Sequence, residues 1–167
     1  IEAAGKNGDA VKSRVDTIAV LLGHGVDVDE VCSLETAYAP PFASAMDVIN
    51  NAGNAIDNIL SGHNRPIDAA DFLHEFNHND MRVLDIRGEK EAAPFNKKYN
   101  GRWFNVPQDQ LRRRVEEIPP DEDFYLLCDT GPRSYEAQVF LTSKGIQKTR
   151  NIQGGFAMIK VTDPAFI

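Results

Sequence analysis

Residues 124–145 read FYLLCDTGPRSYEAQVFLTSKG. Phe124 to Cys128 is an unbroken apolar run of strand length, and 134–144 reads as a helix closed by Gly145 in the position after a C-cap. Between them lies Asp129-Thr-Gly-Pro-Arg133. A fully apolar strand that runs straight into a helix is the repeating unit of a parallel sheet covered on both faces. In open sheets of this kind, ligands bind where the strands end. Cys128 stands at that point.

Working outward, the same alternation continues on both sides. Asp68 is placed to cap a short helix through about Phe76, and MRVLDI at 81–86 is a continuous apolar strand. RWFNVP at 102–107 is another strand, Gln108 to Glu117 a helix, and Pro119-Pro120 its stop. TRNI at 149–152 is a fourth strand, followed by Gly154-Gly155 and a last short helix. The expected fold class is α/β, a three-layer arrangement with a central parallel sheet flanked by helices. Residues 61–66, SGHNRP, read as a linker.

The Cys128–Ser134 loop carries the chemistry. Consecutive loop amides can form an anion nest, the following helix N-terminus adds partial positive charge, and Arg133 adds a full one. All three favour a thiolate over a thiol and make Cys128 nucleophilic. The plainer alternative is a structural strand-end cysteine with an arginine nearby. Two features temper the nest. Pro132 has no N–H to donate. Asp129 sets a negative charge beside the nucleophile, which disfavours a dianion such as thiosulfate and favours a polysulfide or a small persulfide as donor.

The pattern C-x-x-G-x-R-S after an apolar strand resembles the active-site loop of rhodanese-like sulfurtransferases, and the resemblance covers most of residues 65–160. VLDIRGEKE at 83–91 is similar to the family's first central strand and its Asp-x-Arg turn. FNVPQDQLRRRVEEIP at 104–119 and NIQGGFAMI at 151–159 are similar to later segments, the second closing the domain. The resemblance implies a rhodanese-like domain at 65–167, with Cys128 as the persulfide-forming nucleophile and Arg133 binding an anionic donor. It implies that Asp129, Thr130, Gly131 and Ser134 line the substrate loop and that Asp85 and Arg87 brace it. The expected partners are a thiol acceptor and a sulfane-sulfur donor (polysulfide, persulfide or thiosulfate), with Asp129 and Pro132 favouring a polysulfide or small persulfide over thiosulfate. Related phosphatase loops hold five residues between cysteine and arginine, whereas four stand between Cys128 and Arg133, a cradle suited to one terminal sulfur.

Residues 1–64 have a different character. DAVKSRVDTIAVLL at 9–22 has helical spacing, with Asp9 as its expected cap, and SAMDVINNAGNAIDNIL at 44–60 reads as a second helix capped by Ser44. Together with Tyr-Ala-Pro-Pro-Phe at 38–42, this stretch resembles the end of the dimerisation domain of flavin-dependent pyridine nucleotide–disulfide reductases, of the coenzyme A-disulfide reductase, NADH oxidase and polysulfide reductase type. The resemblance implies FAD, NAD(P)H and coenzyme A for a longer parent protein, with no cofactor and no metal in this chain. It also implies a homodimer through residues 9–60. Tyr38 is a candidate contact to a partner subunit's site, with packing in the proline turn as its plainer role. The chain opens on Ile1, as a fragment would.

Composition narrows the function classes. The chain is 42% hydrophobic and 26% charged, as in soluble globular proteins. No apolar run approaches a membrane span and no signal segment is evident. Residues 1–64 hold 3 Lys/Arg against 9 Asp/Glu, and 65–167 hold 15 against 16, which argues against nucleic acid. The run Arg112-Arg113-Arg114 reads as a solvated helix face. The two cysteines, Cys32 and Cys128, suggest free thiols and a reducing cytoplasm. Cys32 has no glycine-rich loop or adjacent arginine and reads as structural. His74-Glu-Phe-Asn-His78 matches a zinc-site pattern, yet its helix is short and no third ligand is evident. The expected function is therefore sulfur transfer through a Cys128 persulfide. A non-catalytic dimerising or sensing module of the same fold is the alternative.

Overall fold

The computed structural model describes residues 3–41 and 43–166. Phe42 of the proline motif lies outside the described residues. Two compact units divide between Ser61 and Gly62.

The N-terminal unit is helical. α1 spans Gly8–Gly23, α2 Val28–Cys32 and α3 Val48–Leu60. Two capping expectations are corrected. α1 is capped by Asn7, whose side chain accepts from the Ala10 N–H, and Asp9 lies inside the first turn. α3 starts at Val48 with Asp47 as its cap, not Ser44. The Asp47 carboxylate accepts from the Ile49 N–H at 3.1 Å while Asn50 Oδ1 accepts from the Asp47 N–H at 3.0 Å, a reciprocal capping box. A bidentate pair from Arg14 to Asp47 then ties α1 to this cap. α2 is an element that the sequence reading lacked. Gly53 of α3 allows its close approach, because a Cβ there would stand 2.9 Å from the Cys32 amide nitrogen.

The second unit is a five-stranded parallel sheet in the order β1-β5-β4-β2-β3. The strands are β1 Pro66–Ile67, β2 Arg82–Asp85, β3 Trp103–Asn105, β4 Phe124–Leu127 and β5 Thr149–Ile152. Its helices are α4 Ala69–His78, α5 Glu89–Lys98, α6 Gln108–Arg114, α7 Pro132–Ser143 and α8 Gly155–Thr162. Part of the expected linker is therefore a strand, β1, and a helix that was not anticipated, α5, follows the Asp-x-Arg turn. α6 gives way to a 3-10 turn at Val115–Glu117.

The period of two along each strand divides the core. Val83, Trp103, Tyr125, Leu127 and Ile152 face α4, α5 and α8, with Phe72, Phe76, Phe95, Ile159 and Phe166 packed on them. Leu84, Phe124, Leu126 and Cys128 face α6 and α7, against Leu111, Ala137 and Leu141. Cys128 thus continues the apolar face of β4 as that strand leaves the sheet.

Candidate active site

Cys128 is buried, with 1% of its surface exposed. The chain then turns through Asp129 and Thr130 to Gly131, whose φ of 107° lies where a side chain would be strained. Pro132 is the first residue of α7. The missing N–H of Pro132 costs little there, because first-turn amides have no intrahelical partner. The turn brings a backbone donor and a hydroxyl to the sulfur. The Gly131 N–H lies 3.0 Å from Cys128 Sγ, and the Ser134 hydroxyl oxygen lies 3.3 Å from it. Ser134 is fully buried in the first turn of α7, and its Oγ also contacts the Gly131 carbonyl at 2.8 Å and Asn151 Oδ1 at 2.6 Å.

Arg133 points elsewhere. Its guanidinium pairs with the Asp129 carboxylate, both side chains being about two-fifths exposed at the rim. The two charges flanking Cys128 therefore offset one another. Thr130 is exposed on the same rim.

The loop is held from below by the Gly-Gly turn. The first amides of α8 donate into it, Phe156 N–H to the Cys128 carbonyl at 2.8 Å and Ala157 N–H to the Asp129 carbonyl at 2.9 Å. A Cβ on Gly155 would lie 2.5 Å from the Cys128 carbonyl oxygen and 2.8 Å from the Thr130 nitrogen. Only glycine allows this approach.

Asp85 and Arg87 form a buried bidentate pair at 3.0 and 2.7 Å, with 0% and 2% exposure. Trp103 Nε1 donates to Asp85 at 3.1 Å, and the Arg87 guanidinium lies 4.1 Å from the centroid of Phe156. Since Phe156 is the residue whose amide holds the Cys128 carbonyl, this pair buttresses α8 from behind the loop. Its charges are consumed internally.

The remaining candidates stand apart. Tyr38 is exposed in the irregular stretch of the N-terminal unit. Cys32 is half-buried, and partial burial, then the Asp57 and Asp29 carboxylates, push its thiol up. His74 and His78 stack at 4.4 Å, while Glu75 is engaged by Tyr125 and Arg150. Among the described residues no group of three His, Cys, Asp or Glu is arranged to hold a metal. No helix of the described residues is long and apolar enough to cross a membrane.

Sequence reasoning missed Asn151, which touches Ser134, and Trp103, which donates to Asp85. A polar residue inside the buried strand 149–152 was the available signal for Asn151. For Trp103 there was none, because only strand pairing places it beside Asp85.

Residues 68–161 match the model of the rhodanese-like domain. A sulfurtransferase of Allochromatium vinosum is 36% identical over 76 residues, spanning 46% of this chain and 68% of that protein. Two solved structures also resemble it. Reduced CoADR-RHD of Bacillus anthracis has a TM-score of 0.78 at 33% identity over 92% of this chain, and an NAD-dependent persulfide reductase of A. fulgidus has 0.71 at 30% over 89%. The chain spans only 27% and 25% of those two proteins. With more than half of its length matched by one family model, this chain belongs to the rhodanese-like domain family.

Proposed function

We propose that this chain carries sulfane sulfur as a Cys128 persulfide and passes it to an acceptor thiol. The observation that carries the reading is the 3.0 Å approach of the Gly131 N–H to a buried Sγ at the C-terminal edge of β4. A backbone donor fixed on sulfur before substrate arrives is placed to hold the negative charge that sulfur carries in attack and in departure.

The chemistry is two exchanges. The Cys128 thiolate attacks the sulfane sulfur of the donor. A Cys–S bond to that sulfur forms, the donor's S–S bond breaks, and its electron pair leaves on the departing sulfur group. The acceptor thiolate then attacks the outer sulfur of the persulfide, and the Cys128 pair returns to Sγ as thiolate. No net oxidation occurs and no metal enters. Asp129, Thr130, Gly131 and Ser134 form the substrate loop of this reading. Arg133, engaged by Asp129, is half-neutralised, so a polysulfide or a low-molecular-weight persulfide fits better than dianionic thiosulfate.

The reading extends to a longer parent, a flavin-dependent reductase of coenzyme A-disulfide, persulfide or polysulfide, using FAD, NAD(P)H and coenzyme A in the cytoplasm. The resemblance of residues 1–64 to a reductase dimerisation domain supports it. This sequence holds no G-x-G-x-x-G after a strand, so no step is assigned to those cofactors here. The N-terminal unit is proposed to form a homodimer through residues 9–60, with Tyr38 facing a partner's site.

The test is intact-protein mass of wild type and Cys128→Ala after polysulfide, then after excess coenzyme A. A one-sulfur adduct on the wild type alone, discharged by the thiol, is the expected result. No adduct, or an equal adduct on the variant, overturns the reading and favours a non-catalytic module.

A further inference from the structure

Ser134 has one hydroxyl proton and three acceptors around it. Its Oγ is 2.6 Å from Asn151 Oδ1, 2.8 Å from the Gly131 carbonyl and 3.3 Å from Cys128 Sγ, and it sees no solvent. With the shortest contact holding the proton, Ser134 donates to Asn151. That arrangement suits a neutral thiol, which can itself donate to Ser134 Oγ. It suits a thiolate less well. A thiolate has no proton to give and is held by the Gly131 N–H alone unless the Ser134 O–H turns onto it as a second donor. Turning it would leave Ser134 Oγ and Asn151 Oδ1 facing each other at 2.6 Å with no proton between them, a buried and costly contact.

A half-turn of the Asn151 amide removes the conflict at Asn151, while the Gly131 carbonyl, 2.8 Å from Ser134 Oγ, lacks the proton in both arrangements and does not distinguish them. The half-turn exchanges an acceptor for a donor at nearly the same position. Asn151 Nδ2 would then donate to Ser134 Oγ, and the Ser134 proton would be free for the sulfur. Asn151 is buried on β5, and the other end of its amide contacts the Asn64 side chain, Nδ2 to Oδ1 at 3.3 Å. Asn64 is half-buried and can present either end of its own amide in reply.

We propose that Asn151 is a positioning residue whose amide turns over when Cys128 becomes a thiolate, releasing the Ser134 proton to Sγ, and that Asn64 sets how readily it turns. The proposal rests on the sulfur-transfer reading only in taking the thiolate as the working form, which is both the attacking group in loading and the leaving group in discharge. An accept-only side chain at position 64 therefore slows the reaction of a sulfur that it does not touch.

The test uses the full chain. The rate of Cys128 alkylation by iodoacetamide at neutral pH is read on the Cys128 peptide by mass spectrometry, with thermal midpoints as a fold control. Asp at position 64 can only accept, so it holds Asn151 Nδ2 and locks Oδ1 on Ser134. Asn64→Asp is expected to slow alkylation about tenfold, as Ser134→Ala does, which is the scale of one hydrogen bond to a charged group. Asn64→Ala cannot hold Asn151 in either orientation and is expected not to slow alkylation; slowing as large as that of Asn64→Asp would trace the effect to loss of the Asn64 contact and overturn the proposal. In the Ser134→Ala background, Asn64→Asp is expected to add nothing, because both act on the same proton.

A wild-type rate for Asn64→Asp or Ser134→Ala overturns the proposal. So does an equal slowing by Asn64→Asp with and without Ser134, which would mark a through-space charge effect. Should Asn64→Asp not fold, Asn151→Asp supplies a second locked variant, judged by the same double-mutant comparison. Persulfide loading by polysulfide is measured alongside. Its failure in the wild type would sink the sulfur-transfer reading and leave the alkylation comparison standing.

Discussion

The Cys128 carbonyl oxygen accepts the Phe156 amide at 2.8 Å, so the backbone of this cysteine is fastened by the element that follows the last strand. The side chain of the same phenylalanine lies against the Arg87 guanidinium, whose partner Asp85 is gripped by Trp103. A chain of contacts thus runs from the end of β2, through α8, to the floor of the sulfur loop. Three strand ends contribute to it, as expected for a site on the C-terminal edge of a parallel sheet. Rigid positioning of this kind lets one backbone donor hold a sulfur that is almost entirely buried.

Gly155 is the point where this fastening is tightest. Its φ of 55° and the 2.5 Å approach of a built Cβ to the Cys128 carbonyl leave no room for alanine. Gly155→Ala is expected to destabilise the protein by roughly 2–4 kcal/mol, from strain and backbone overlap together. The thermal midpoint should fall, and polysulfide loading of Cys128 should fall below that of the wild type even well under the new midpoint. Unchanged stability would mean that α8 can back away from the loop at little cost.

Removing the Asp129 carboxylate should release Arg133. The two pair at the rim, and a free guanidinium there would meet an incoming anion. Asp129→Asn is expected to raise Cys128 loading by thiosulfate several-fold while changing loading by a neutral trisulfide little. The gain should shrink with added salt, since both groups are partly exposed. An equal change with both donors would show that Asp129 acts on the loop and not on donor charge.

Much of this site was legible because its parts lie close together in the sequence. Cys128, Gly131 and Ser134 fall within one strand–turn–helix, and the Asp85–Arg87 pair is two residues apart. The residues that escaped notice are joined by pairing across the sheet. Asn151 lies opposite Leu126 and Trp103 opposite Val83, and neither relation has a local signature. The missed elements have separate causes. β1 is two residues long, too short to show alternation. α5 carries Pro94, which lowers its helix propensity, and it is held by Ala92 and Phe95 packing on the sheet. The expected cap at Ser44 lost to Asp47 because Asn50 completes a capping box only with the later residue.

The N-terminal unit leaves Val20, Leu22, Val48, Ile56 and Leu60 of α1 and α3 exposed. Apolar surface of this kind drives association. Light scattering over a range of concentrations is expected to show a dimer for the proposed 9–60 interface, and Val48→Glu with Leu60→Glu should shift it to monomer. A monodisperse monomer in the wild type at every concentration would remove the homodimer from the proposal.

Tyr125 and Glu75 give the second unit a dependence on pH at both extremes. The Tyr125 hydroxyl donates to the Glu75 carboxylate, which Arg150 also contacts at 3.0 and 3.1 Å. Hydrogen bonding from Tyr125 first, then from Arg150, holds the Glu75 carboxyl below the ordinary glutamate range. Burial, then the hydrogen bond to Glu75, pushes the Tyr125 phenol well above its usual value. A lowered carboxyl contributes stability above its unfolded value, and that contribution is lost as pH falls through the folded one. A raised phenol contributes stability below its unfolded value of about 10, and that contribution is lost as pH rises further. Tyr125→Phe should therefore be less stable than the wild type at neutral pH and should lose less on going to acid or to strong base. Thermal midpoints measured from pH 3 to pH 11 would check this. Parallel curves for the two proteins would mean that the pair contributes packing alone, with the charge on Glu75 satisfied by Arg150.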